Sequence, residues 1–226
     1  MSMHFTTEKE HRDAFNREGA VEFFEIIPPA QAQYLSNEID TVLSHRLKVS
    51  HRQLELQRAD SLFLHGHDLW RASDSVRKFV CNRIFASIAF ELVNIKPIRI
   101  GYDQLLLGGS YLRQETTVQE FSSIQHILCG LVICLNDGEE RDPETEERYS
   151  IFPQHAGNAC FFRANHPIDF SALTRCKEQR FLMITYTGAK AVYARNENDQ
   201  HTASLKKEGY NFGDRLNDKL HPIVYK

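Results

Sequence analysis

The residues able to do chemistry gather in two short stretches. In the second half, "FRANHP" (162–167) sets His166 directly after an apolar run and ahead of a proline, and Arg180 opens the later run "RFLMITYTG". An imidazole in the position of His166 can reach a metal at the mouth of a β-barrel, provided other ligands converge on it. In the first half, "LFLHGHDLW" holds His65, His67 and Asp68. An H-x-H pair in an extended chain puts both imidazoles on one face, and an acid next to it can add an oxygen ligand. A lone H-x-H is a weak signal, so the preferred reading is a turn around Gly66 beside an anchoring Trp70.

Positioning these residues requires a scaffold, and the sequence outlines one. "GAVEFFEII" has strand character and runs into a helix begun by Pro29, with Leu35, Ile39, Val42 and Leu43 recurring at helical spacing. A second helix is predicted through "SVRKFVCNRIFASIAFELVN", capped by Ser73 or Asp74, with Val76, Val80, Ile84, Ile88 and Leu92 every four residues and Lys96-Pro97 as its stop. From Ile98 the pattern changes to strand-like runs: "IRIGYDQLLL", "ILCGLVICL", "RYSIF", "NACFF" and "RFLMITYTG". Helices first and strands afterwards predict an α+β sandwich or barrel with the N-terminal helices packed on its outer face.

Composition narrows the function classes. A chain of 226 residues with 42% hydrophobic and 25% charged residues suits a single domain (1–226), mainly helical over 1–96, a β-barrel core over 97–190, and a C-terminal extension over 191–226. A net charge of −3 gives no general attraction for nucleic acid. The polar N-terminus lacks a signal-peptide core, and the longest apolar run, Ile127 to Leu135, is too short to span a bilayer, so a cytoplasmic protein without a membrane partner is expected. Five cysteines without a C-x-x-C pair fit reduced thiols, mostly in the core. A basic segment (45–58) and an acidic one (136–148) are expected to be a solvated helix extension and a solvated loop.

The order "CLND", "GNACFF", His166, "RCKEQRFLMITYTG" resembles the late strands of the phytanoyl-CoA dioxygenase-like family of Fe(II)/2-oxoglutarate oxygenases. "FNREGAVEFFEIIPPAQAQYLSNEID", "PIRIGYDQLL" and "NFGDRLNDKLHP" are similar to other parts of the family, so the resemblance runs over most of the chain. It implies a double-stranded β-helix, or cupin-like jelly roll. Such a site needs two imidazoles and a carboxylate on one face of iron, and an arginine whose planar fork clamps the far carboxylate of 2-oxoglutarate. By the resemblance His166 corresponds to the last iron ligand and Arg180 to the clamp, with Arg175 as the alternative clamp. The expected His-x-Asp falls on Gln114-Glu115-Thr116. Gln114 and Thr116 replace the two ligands, and Glu115 alternates to the other face of its strand. His126 has Leu128 two residues on rather than an acid, and is expected to be a hydrogen-bonded, partly buried residue. His155 is expected in a loop and Gly157 in a tight turn. Whether Glu115, His65, His67 or His126 substitutes for the missing ligands stays open at this stage.

Three functions follow. The favoured one is a relative that keeps the fold and a small-molecule pocket in the barrel while most iron-binding residues are missing, in a ligand-binding, regulatory or divergent enzymatic role. The alternatives are an active oxygenase using Fe(II) and 2-oxoglutarate through an unusual ligand set, and a divalent-cation-dependent DNA-binding regulator, which lacks a helix-turn-helix signature. An apolar inner face around His166 and Arg180 is the feature to look for.

Overall fold

A computed structural model describes residues 7–108, 115–138, 151–174 and 178–226. Helix α1 (Lys9–Glu18) ends at Gly19 in the left-handed region and leads into strand β1 (Ala20–Phe23). Helix α2 (Pro29–Leu47) starts on Pro29 and buries Leu35, Ile39, Val42 and Leu43, the spacing read from the sequence. The short helices α3 (His51–Leu54) and α4 (Ala59–His65) and a 3₁₀ turn over Leu69–Arg71 follow. The helix expected over residues 73–92 is two helices, α5 (Asp74–Val80) and α6 (Arg83–Val93). Asn82 causes the break: its side chain accepts the Ile84 N–H at 2.9 Å and so begins a new helix where periodicity alone would have continued the old one.

The strands are β2 (Ile98–Leu107), β3 (Glu115–Thr116), β4 (Ile124–Cys134), β5 (Ala159–Arg163), β6 (Ile168–Asp169), β7 (Arg180–Tyr193) and β8 (Ile223–Tyr225), with helix α7 (Val118–Phe121) before β4. Six of them form a curled antiparallel sheet in the order β1-β5-β4-β7-β2-β8, and β3 pairs with β6 in a separate two-stranded ladder. Of "RYSIF", Ile151 and Phe152 are buried in a turn rather than a strand. Among the described residues no helix is long and apolar enough to cross a membrane.

Each sheet face has its own core. The helices pack on the face that carries Leu105, Leu131, Ile133, Leu182 and Ile184. The other, inner face carries Leu106, Val132, Phe162, Phe181 and Met183, and it is covered by Phe121, Phe152, Ile168 and Phe170 together with Leu205, Tyr210 and Leu216 of the C-terminal segment. That segment is therefore part of the inner core.

Alternation along β2 reverses midway. Ile98 and Ile100 face the helices, yet Tyr102 and Leu106 face inward, because the register with β7 shifts between Ile100 and Asp103. Thr185 fills the bulge: its hydroxyl accepts the Tyr102 N–H at 2.9 Å and donates to the Tyr102 carbonyl at 3.1 Å. Gly101 makes room for it, since a Cβ there would lie 2.5 Å from Thr185 Oγ1. The bulge turns Tyr102 and Gln104 inward and Asp103 toward the helices.

The inner face is packed tightly enough for one methyl group to matter. A Cβ on Gly130 would lie 2.1 Å from Phe162 Cζ. Gly130→Ala is expected to lower the unfolding free energy by about 1–3 kcal/mol through overpacking, and Phe162→Leu to recover part of that loss in a double-mutant cycle read by urea denaturation.

Candidate functional site

The residues singled out by sequence fall in separate places. In the β3–β6 ladder Thr116 pairs with Ile168 and Glu115 with Asp169. Thr116 is buried and its hydroxyl donates to Glu120 Oε2 at 3.2 Å, Ile168 is buried, and Glu115 is exposed on the opposite side, as strand alternation requires. Gln114 and Arg175 lie outside the described residues, as do residues 139–148 of the acidic segment.

His166 sits two residues before Ile168, in the turn between β5 and β6, where its N–H donates to the Arg163 carbonyl at 2.9 Å. Its half-buried ring lies against the C-terminal end of α1: a Cβ on Gly19 would come within 2.9 Å of His166 Nδ1. Burial lowers the imidazole pKa, partly offset by a hydrogen bond with the Glu18 backbone. Arg180 precedes inward-facing Phe181 and shares the helix-facing side with Leu182 and Ile184. Its fork is bidentate on Asp40 of α2, at 2.6 and 3.0 Å, with a further bond to Ser36 Oγ at 2.9 Å. The inward neighbour is Gln179, only 3% exposed, which donates to the Gln154 carbonyl at 2.9 Å.

His126 corrects an expectation. It is exposed at a register irregularity of β4 between Gln125 and Ile127, with φ 62°, where Ile124 and Ile127, three residues apart, both face the inner core. His155 is an exposed loop residue near Asp137, and Gly157 takes φ 89° in its turn, both as expected. His65 ends α4 and its Nδ1 bonds back to the Ser61 carbonyl at 2.9 Å, so it shares no face with His67. Cys129, Cys134 and Cys160 are buried free thiols.

Aromatic rings occupy the interior between the inner sheet face and the β3–β6 ladder. Phe152 stands 5.3 Å from Phe181 and 6.1 Å from Phe170, which in turn makes an edge contact with Phe121 at 5.6 Å.

Polar groups converge instead at the end of the inner core near the bulge. Gln104 Nε2 donates to the Phe63 and Leu105 carbonyls, which fixes its Oε1 as acceptor for His67 Nδ1–H at 3.3 Å, while His67 Nε2 lies 3.9 Å from Asp68 Oδ2. The His201 ring stacks on His67 with centroids 4.1 Å apart and planes 8° from parallel. Lone pairs of stacked rings run parallel and do not converge on one metal ion. Among the described residues His201 Nε2 is buried with no hydrogen-bond partner, and the buried Tyr102 hydroxyl makes no well-formed hydrogen bond, with the Ser122 side chain as its polar neighbour. A cavity of about 20 Å³ lies among them, also lined by Phe63, Phe121 and Asp199, and it is large enough for one water. His201 lies in "NENDQHTASL", which shows no periodicity or motif that would have singled it out.

A buried charged network lies behind this end. Asp103 is fully buried and accepts the Leu69 and Trp70 N–H groups at 3.0 and 3.1 Å. Arg46 donates to the carbonyls of His65, His67 and Asp68 at 2.6 to 2.9 Å, so the segment expected to be solvated supplies an internal tie. Asp68 accepts Trp70 Nε1–H and Arg71 Nε–H, and Arg71 donates to His221 Nε2, leaving His221 Nδ1–H to donate to the Tyr210 hydroxyl at 2.9 Å. Burial, with Asp68 nearby, pushes Asp103 up to about 7. Burial also pushes His201 and His221 down to about 3, with His67 adding to the shift of the first and Arg71 to that of the second.

These shifts set a pH dependence. The two lowered imidazoles give stability that is complete above pH 6.5 and is lost as pH falls toward 3. Raised Asp103 acts in reverse, favouring the fold below its unfolded value and losing that contribution as pH rises through 7. Between about pH 4.5 and 6 the unfolded chain holds two protons on the histidines and the folded chain one on Asp103. Unfolding free energy is expected to rise by about 1 kcal/mol per pH unit there, and His221→Gln to flatten that slope in urea titrations.

No protein-family model and no curated protein matches the chain. Solved structures do. The chain is similar to the non-heme alpha-ketoglutarate-dependent carbocyclase SnoK from nogalamycin biosynthesis, at 14% identity and TM-score 0.67 over 95% of each chain. It is similar to the epimerase SnoN from the same biosynthesis, at 16% identity and TM-score 0.65 over 96% of this chain and 98% of that one. A third likeness is to CytC3 with Fe(II) and alpha-ketoglutarate, at 13% identity and TM-score 0.58 over 97% and 88%. The chain shares its fold with enzymes that depend on iron and 2-oxoglutarate.

Proposed function

We propose that this chain is a divergent relative of the phytanoyl-CoA dioxygenase-like oxygenases, folded as a double-stranded β-helix, whose interior binds a small molecule and does not carry out iron chemistry. The observation that carries this reading is the pairing of Thr116 with Ile168 beneath a layer of phenylalanines. Iron of this class takes two imidazoles and a carboxylate on one face. Ile168 has no lone pair to offer, and the Thr116 hydroxyl is engaged by Glu120. Among the described residues no group of three His, Cys, Asp or Glu is placed to hold a metal ion. The described residues do not fit iron and 2-oxoglutarate.

In this reading His166 is an orphan of the iron site, its ring given over to packing on α1. Arg180 acts as a tether between β7 and α2. The sheet order supports the β-helix, since β5-β4-β7-β2 is antiparallel throughout and β3 and β6 form the ladder across the inner core. The net charge of −3 supports a small-molecule partner over nucleic acid.

Protein mixed anaerobically with Fe(II) and 2-oxoglutarate is expected to show no visible charge-transfer band and to release its iron on gel filtration, in wild type and in His166→Ala alike. Stoichiometric iron retained with that band would falsify the reading. Arg180→Ala is expected to lower the unfolding free energy by about 2 kcal/mol, the loss of a charge-assisted bond that leaves Asp40 unpaired, while any weak affinity for 2-oxoglutarate measured by calorimetry stays the same.

A further inference from the structure

We propose that the slot bounded by Phe63, His67 and Tyr102 binds a small, neutral, planar ring bearing a hydroxyl, and that the His201 imidazole is a resident plug that such a ring displaces. The proposal deepens the ligand-binding reading above and rests on it. The walls are fixed while the plug is not. His67 is held by Gln104, and Tyr102 by the Thr185-filled bulge. His201 stacks on His67 at 4.1 Å and leans on Phe63 at 5.5 Å, but among the described residues nothing hydrogen-bonds its ring. Its backbone is secured separately, the His201 N–H donating to Asp199 Oδ1 at 2.7 Å. The ring can therefore swing out without breaking a polar contact.

The slot also asks for a particular ligand. Tyr102 is 5% exposed, and its buried hydroxyl makes no well-formed hydrogen bond, with the Ser122 side chain as its polar neighbour. His67 presents Nε2, an acceptor in the neutral ring, 3.9 Å from Asp68 Oδ2. A ligand hydroxyl would satisfy both, accepting from Tyr102 and donating to His67 Nε2. Two parallel imidazoles in contact already show that the space accepts a flat ring. Neutrality follows from the surroundings. Asp68 is met by Arg71 and lies 3.9 Å from His67 Nε2, and the Asp199 oxygens accept the Ser123 and His201 N–H groups, so each carboxylate at the slot already has partners. The depressed pKa of His201 agrees, since burial there opposes a positive charge.

Phenol is the test ligand, titrated into full-length protein labelled at histidine Cε1 and followed by NMR, with His67→Gln and His201→Ala used to assign the two resonances. Phenol is expected to shift both saturably in wild type, and cyclohexanol, which is not planar, to bind about tenfold more weakly. His201→Ala is expected to tighten phenol binding about tenfold. Tyr102→Phe, which keeps the ring and the packing, is expected to weaken phenol about tenfold and leave toluene binding unchanged. No saturable shift in wild type, cyclohexanol binding as tightly as phenol, or equal weakening of phenol and toluene by Tyr102→Phe would each overturn the proposal. Iron retention is read in a separate sample, so failure of the ligand-binding reading appears there and failure of the slot appears in the phenol titration.

Discussion

The carboxylate of Asp103 joins the two halves of the structure. It leaves the sheet on the helix side and receives the first two N–H groups of the Leu69–Arg71 turn, which makes it the point where the helical layer is registered against the strands. Without the bulge at Gly101, alternation would carry Asp103 inward and Tyr102 toward the helices. Arg46 then gathers the carbonyls on either side of Gly66, and Asp68 gathers Trp70 and Arg71. Breaking one partner in such a network leaves the others buried without satisfaction, so the network acts as a unit.

The same registration decides where polar chemistry is located. At the end of the inner core next to the bulge, a tyrosine, two imidazoles and a glutamine converge. Across the middle, phenylalanines from β5, β7 and the covering segments meet one another. Polar groups without partners are costly in an aromatic interior, which explains why Thr116 turns its hydroxyl to Glu120 and why Arg180 faces the helices and Asp40.

Much of this was legible in the sequence. The helix-then-strand order, the α2 stripe, the role of Pro29, the loop at His155 and the turn at Gly157 all follow from local rules. The misses have local causes of another kind. Asn82 offered a cap that periodicity does not register, and the β4 irregularity turned His126 outward. Arg46 became internal because three carbonyls a score of residues away converge on it, which no window of sequence contains. Around the candidate site the sequence does not show which face each side chain takes. Arg180 and Gln179, one residue apart, take opposite sides of the sheet, and His166 sits in a turn two residues before the buried Ile168. His201 was invisible because its importance lies in a ring contact with His67, 134 positions earlier in the chain.

The pairing of Thr116 with Ile168 also bears on what the protein could become. An imidazole introduced at position 168 alone would enter a space lined by Phe121, Phe152 and Phe170, with its nitrogens unmet and its bulk unaccommodated. A carboxylate introduced at position 116 alone would sit near Glu120, whose carboxylate already accepts from the threonine hydroxyl. Each single change is unfavourable, and only their combination with a third ligand and smaller rings could hold a metal. Mutation one step at a time must cross destabilised intermediates of about 1–3 kcal/mol each. For a protein of marginal stability the aromatic interior therefore works as a ratchet, which keeps a metal site from being built there one residue at a time.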